Sequence, residues 1–357
     1  MVQAAWGPVL PWLLAGSQRP EYAAAQAALA TNELGWQAGA VGRLLAGLIV
    51  ARYAFNAALR GPTARLAARR GDSPGHRDGT RLLEEIWVTA GNLVILGAAL
   101  FVMLRRNGGC WWLSTSTCLA GWPSLPTEAA VLRYYSLELA WYLHMLLKPV
   151  LRYGLPDGRD MLLHHCATLT LIVASYGTNL TRMGVLVLAL FAVSNPLLHI
   201  AKICNQLSLG PMKIGGFVVF AAAFFVTRVL LAPWAVLKVA AVDTMRVMPY
   251  AREDFPTWWW GINVLLAVLY LMQLLWMKGI FRVLRSAAQH GSQAASAMSA
   301  KVDPAKRYAD AHAEPAGPAG AAATAAPPAG SAPSLRQRLP RTPSPVEPPA
   351  LSPSPAQ

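Results

Sequence analysis

Acidic residues are scarce in this chain: Asp and Glu number 17 among 357 residues, and charged residues of both signs make up 13%. A soluble globular domain carries roughly 25% charged residues. A deficit of that size excludes a water-soluble globule and turns attention to the hydrophobic residues, which form 55% of the chain. Cysteine is also rare, at positions 110, 118, 166 and 204, with no C-x-x-C pair. Neither a zinc ribbon nor a dithiol redox motif is therefore expected. His-x-x-His and His-x-x-x-His pairs are missing, so no metal site is expected either. The N-terminus lacks a basic segment followed by a compact apolar stretch, and no cleaved signal peptide is expected.

The formal net charge is +14. A nucleic-acid partner is a standard reading of such an excess, but it requires a basic polar face on a folded domain. Here Lys and Arg sit in short segments between apolar runs and in the C-terminal tail, as they do on the cytoplasmic side of membrane proteins. No nucleic-acid partner is expected.

The apolar runs predict an all-α integral membrane protein with about seven spans, each near the ~20 residues needed to cross the hydrocarbon layer. They run Trp36–Leu59, Ile86–Leu104, Ala129–Val150, Met161–Tyr176, Gly184–Cys204, Ile214–Val239 and Trp258–Ile280. Residues 1–35 read as a lead-in, 36–282 as the membrane region, and 283–357 as a cytosolic tail whose Pro-, Ala- and Ser-rich composition cannot offset the entropy of ordering. The segment 60–84 carries Arg60, Arg65, Arg69, Arg70, Arg77 and Arg81, and Arg282 and Arg285 follow the last span. The positive-inside rule places both in the cytosol and the N-terminus in the lumen. Cys110 and Cys118 then share a lumenal loop in which they could pair. Cys166 and Cys204 lie in apolar runs and are expected to be inert core thiols. The sequon Asn179-Leu180-Thr181 sits in a turn too short to clear the bilayer, so a structural role for Asn179 is expected.

Ionisable side chains within spans are costly, roughly 2.5–3.5 kcal/mol each on insertion scales, and persist where they pair or line a cavity. They concentrate here in spans three to six, with the polar Asn195 among them: Glu138, His144 and Lys148; Asp157, Asp160 and the pair His164-His165; His199 and Lys202; and Arg228. The two histidines point about 100° apart on a helix. Asp160 lies one turn before His164 and could fix its tautomer. An imidazole in the bilayer can move a proton near neutral pH. The alternative is two structural histidines satisfied by neighbouring helices.

At this cluster the sequence resembles a known family. HHCATLTLIVASYGTNLTRMGVLVLALFAVSNPLLHIAKICN, from His164 to Asn205, is similar to the signature of the ceramide synthases, within the TLC-domain family. His164, His165, Ser175, Asn179, Arg182, Gly184, Lys202 and Asn205 are among the matching positions. YYSLELAWY from Tyr134, with Glu138 and Tyr142, also resembles the family, as do LLEEIWV before span two, Asp157, and Arg228 with Pro233 in span six. The resemblance covers about 82–282.

It implies a TLC-type helical barrel around a long cavity in the endoplasmic reticulum membrane. It further implies N-acylation of a sphingoid base by fatty acyl-coenzyme A as co-substrate, with no bound cofactor. Contacts with membrane lipids are expected, and a homo- or hetero-dimer is compatible with it. In that reading His164 and His165 supply the base or transient acyl acceptor, with Asn195 and His199 as partners. Glu138, Tyr142, Ser175, Asn179, Arg182, Lys202 and Arg228 contact substrate. The chain departs from the pattern where it matters: Phe191-Ala192 replaces a His-Asp pair, Asn195 an Asp, His199 a Glu and Gln273 a His. These losses keep open a second reading, a non-catalytic TLC-domain protein that binds or regulates membrane lipids.

Overall fold

The computed structural model describes residues 34–71, 79–122, 127–247, 249, 251–254 and 256–302. They are helical apart from short connections, and the only β pairing among them is an isolated bridge between Trp111 and Ser114. The helices are α1 (Leu34–Arg70), α2 (Gly79–Arg106), α3 (Ala129–Leu151), α4 (Arg159–Gly177), α5 (Thr181–Ala192), α6 (Ser194–Gln206) and α7 (Pro211–Phe224). A π-helical stretch continues α7 from Phe225 to Asp243, and α8 spans Pro256–Val302.

Five helical segments are long and apolar enough to cross a membrane: 38–70, 79–106, 181–206, 211–247 and 257–291. The candidate spans expected at 129–150 and 161–176 are both helical but more polar, because α3 carries Arg133, Glu138 and Lys148, and α4 opens on Arg159 and Asp160. Two boundaries differ from expectation. The helix of the first span does not stop at Leu59: α1 runs on through Pro62 to Arg70, so the first part of the expected basic loop is helical. At the other end α8 continues through Val302, with a break at Gly291 (φ 78°). The lead-in 1–33 and the tail beyond Val302 lie outside the described residues.

Packing follows from small residues where helices approach. α1 lies against α2 and α3, α2 against α5 and α6, α6 against α7, and α8 against α4 and α7. Gly91 on α2 leaves room for the Trp141 ring of α3, which a Cβ would strike. Gly184 on α5 does the same for the Tyr135 hydroxyl, which bonds Ser175 Oγ (3.0 Å) and donates to the Thr181 carbonyl (3.1 Å). The π-helical stretch contains Pro233. Its ring denies the α-helical ladder an N–H and crowds the carbonyl one turn earlier, and a wider i→i+5 turn accommodates both.

Cys110 and Cys118 form a disulfide. It closes a compact loop after α2 that is seated on Arg182, whose guanidinium donates to the Thr117 and Ala120 carbonyls at 3.3 and 3.5 Å. Cys204 is buried, but Cys166 is exposed on the outer face of α4, contrary to its expected core position.

Candidate functional site: a histidine-lined cavity

α2 to α8 and the π-helical stretch line a cavity of about 670 Å³. Its lining on α8 extends from Trp258 to Ala287. At 1.5 Å per helical residue that is roughly 40 Å, more than a hydrocarbon core of ~30 Å. Lys202, Lys213 and Arg282 line it at one end, and Leu119 of the disulfide loop, Trp258 and Trp259 at the other.

His164 and His165 both border this cavity and both are buried. Their surroundings differ. His165 Nε2 lies 3.5 Å from Asp157 Oδ2, within ion-pair range but too long for a well-formed hydrogen bond, and its ring meets Tyr142 edge-on at 5.4 Å. The His164 ring packs edge-on against Trp276 at 5.4 Å, and its Nδ1 has no hydrogen-bond partner among the described residues. Asp160 does not hold His164 as the spacing suggested: its Oδ2 accepts from Trp276 Nε1 at 3.3 Å. A tryptophan from α8 takes the carboxylate.

Asp157 is the near end of a buried charge network. Lys148 Nζ lies 3.1 Å from Asp157 Oδ1 and 3.1 Å from Glu84 Oε1, and Glu84 Oε2 lies 2.5 Å from the Arg52 guanidinium. Arg52 and Lys148 side chains are each 2% exposed. Arg52 Nε also donates to the Tyr153 carbonyl (3.1 Å), and Gly154 lets the backbone lie directly over Glu84 and Lys148. Four elements thus share one alternating series of charges, Arg52–Glu84–Lys148–Asp157, that ends at His165. Burial by itself would raise the pKa of Asp157, yet the adjacent His165 and Lys148 hold it down at about 2. The carboxylate therefore stays ionised beside the imidazole at neutral pH.

The other expected site residues fall into two groups. Glu138, Tyr142, Ser175, Asn195, His199, Lys202 and Arg228 line the cavity. Within it, Glu138 Oε1 accepts from Tyr134 Oη at 2.6 Å. His199 does not join the histidine pair: its Nδ1 lies 2.5 Å from Glu85 Oε2, and Lys202 Nζ lies 3.5 Å from Glu85 Oε1. Asn195 turns to Arg228, accepting from its Nη2 at 2.5 Å. Asn179 and Arg182 are not part of the lining. Asn179, at φ 55°, shapes the α4–α5 turn and accepts from Thr127 Oγ1 (3.0 Å). Arg182 anchors the disulfide loop.

Arg52 and Glu85 were not singled out from sequence. Arg52 lies within the first apolar run, and Glu84-Glu85 lies within LLEEIWV before span two. Two successive helical residues face about 100° apart, so the dipeptide feeds the Asp157 network with one carboxylate and His199 with the other. Among the described residues no group of three or more His, Cys, Asp or Glu is placed to hold a metal.

A TLC domain family model matches residues 81–282. The chain is similar to human ceramide synthase 5, 31% identical over 182 residues, which are 51% of this chain and 45% of that protein. Bovine ceramide synthase 4 is 30% identical over 167 residues, 46% of this chain and 41% of the relative. Ceramide synthase LOH1 of Arabidopsis thaliana is 28% identical over 170 residues, covering 46% and 53%. The chain spans about half the length of these relatives. With the family match running from the entrance of α2 to Arg282 of α8, the chain belongs to the TLC domain family.

Proposed function

We propose that this protein is a ceramide synthase-like N-acyltransferase of the endoplasmic reticulum membrane, joining a fatty acyl group from acyl-coenzyme A to a sphingoid base. The observation that carries the reading is the placement of His165, buried against an ionised Asp157 and facing a largely apolar cavity. The sphingoid nitrogen attacks the thioester carbonyl carbon, and the C–S bond breaks as the C–N bond forms. His165 accepts the proton from nitrogen and returns it to the departing thiolate, giving an amide and free coenzyme A. Asp157 stabilises the imidazolium formed in between. In a two-step form of the same reaction, His164, without a carboxylate, displaces the coenzyme A thiolate to form an acyl-imidazole, and the sphingoid nitrogen then takes the acyl group and releases the imidazole.

The remaining lining residues have parts that their chemistry suits. Lys202, Lys213 and Arg282 form a basic mouth for the phosphates of coenzyme A. Glu138 faces the substrate amine, with Tyr142, Ser175 and Arg228 along the acyl path. The apolar walls limit the access of water to the reacting centre. The same reading includes seven spans closed as a barrel, with α3 and α4 held in the bilayer by their neighbours, a lumenal N-terminus and a cytosolic C-terminus.

The test is an acylation assay on purified protein in lipid nanodiscs with a panel of sphingoid bases and acyl-coenzyme A donors. Ceramide formation that falls at least about 100-fold in His165→Ala is the expected result. Absence of ceramide from every pair of substrates would sink it. A second reading, a lipid-binding TLC protein without turnover, is favoured by Phe191, Ala192 and Asn195, which leave the α5–α6 side of the cavity without a carboxylate. It requires that His164→Ala/His165→Ala leave the cellular role intact.

A further inference from the structure

Three positions at which the chain departs from the ceramide synthase pattern converge on one side chain. Arg228 Nη1 donates to Gln273 Oε1 (2.9 Å), and Nη2 donates to Asn195 Oδ1 (2.5 Å) and the Phe191 carbonyl (2.6 Å). The Phe191 and Phe224 rings lie 5.4 and 5.0 Å from the guanidinium carbon. Every one of these partners is neutral. Arg228 is 4% exposed, lines the cavity, and among the described residues has no carboxylate within ion-pair distance; its Nε has no hydrogen-bond partner. The nearby acids are engaged elsewhere: Glu138 with Tyr134, Asp157 with Lys148, and Asp160 with Trp276.

A guanidinium stays charged in a protein, and a buried charge without a counter-ion is strongly unfavourable. The neutral amides satisfy donors but cancel no charge. Gln273 is one helical turn from Trp276, against which His164 packs, so the cation lies about one turn from the histidine pair along α8.

We propose that Arg228 is an anion site within the cavity and that its ligand is the carboxylate of a single-chain fatty acid, whose tail occupies the apolar wall. The lipid supplies the negative charge that an aspartate at 195 would have supplied from within. The chemistry is that of a charge-assisted hydrogen bond to an otherwise uncompensated guanidinium. It stands whether or not the histidine pair catalyses acyl transfer, because it concerns a bound head group and no reaction.

The experiment measures binding of palmitate, palmityl alcohol and palmitoyl lysophosphatidic acid to the full chain in nanodiscs, for wild type, Arg228→Gln and Asn195→Asp. In wild type, palmitate binds about tenfold or more tightly than the alcohol, the scale of one charge-assisted hydrogen bond. Asn195→Asp, which places a carboxylate on Arg228, removes that preference, and Arg228→Gln does likewise. Asn195→Asp keeps the test alive if Arg228→Gln does not fold. Equal affinity for acid and alcohol in wild type overturns the proposal, as does palmitate binding unchanged in Asn195→Asp. Tighter binding of the lysophosphatidic acid than of palmitate overturns the carboxylate assignment. Ceramide synthesis is a separate readout, so its absence leaves this result intact.

Discussion

The Lys148 ammonium lies midway between Glu84 and Asp157, 3.1 Å from each, and so connects the charge pair of α1 and α2 to the carboxylate beside His165. Replacing Lys148 with Met should leave Asp157 without its cation and let it drift from the imidazole. The expected result is a fall in kcat of about 10- to 100-fold with KM for acyl-coenzyme A little changed, as for a residue acting through the base. A bell-shaped rate profile whose lower limb moves in Lys148→Met would separate this positioning role from simple loss of fold.

Asp157 also sets a pH dependence. Its pKa is held at about 2, below the usual carboxylate value of 3.8, so its native contacts stabilise the fold fully above about pH 4. That contribution, on the order of 2 kcal/mol, is lost as pH falls through the native value. Thermal unfolding in detergent between pH 5 and pH 2 should show the loss in wild type and a flatter slope in Asp157→Asn.

Glu84→Gln removes the carboxylate shared by Arg52 and Lys148 and leaves two buried cations facing each other. Breaking a buried pair from one side costs about 3–5 kcal/mol. A large drop in the unfolding midpoint is expected, with partial recovery in Arg52→Met/Glu84→Gln. A Glu84→Gln protein as stable as wild type would overturn this assignment of a buried, mutually compensating charge cluster.

Gly184→Ala places a methyl group against the Tyr135 hydroxyl and disturbs its bonds to Ser175 and Thr181. Overpacking of this kind costs about 1–3 kcal/mol. Tyr135→Phe/Gly184→Ala, which removes the nearest obstructing atom but leaves Ser175 Oγ and the ring close, should recover part of the loss in a melting assay.

The disulfide closes a short loop, and the chain-entropy estimate for a ring of that size is about 2.5 kcal/mol. Cys110→Ser/Cys118→Ser should lower stability by about that amount. It should also loosen the Leu119 end of the cavity, seen as faster labelling of a cysteine introduced at Leu119 in that background.

The helices and the polar residues that line the candidate cavity were legible in the sequence because both have local signatures. Apolar runs near 20 residues long mark most of the helices, and polar residues within them mark the cavity wall. The partners were less legible. Asp160 has the right spacing for His164, but spacing along one helix says nothing about Trp276 on another. Asp157, in the α3–α4 connection, reaches His165 only because Lys148 and Glu84 fix its position. Arg52 pairs with Glu84 on α2 and with the Tyr153 carbonyl, at sequence separations that no periodicity encodes. Asn195 and Gln273 could be recognised as replacements one by one, yet their common contact with Arg228 emerges only when α6, α8 and the π-helical stretch are brought together.

The segment from Phe225 to Asp243 carries a consequence for how such a cavity diversifies. A backbone already wound with an additional residue per turn can absorb a one-residue deletion by tightening to the ordinary α pitch, with its ladder intact and its side chains swung around the axis. The girth of the chamber beside Arg228, and the direction in which that arginine looks, can thus change through a length polymorphism in one wall while every other helix keeps its register.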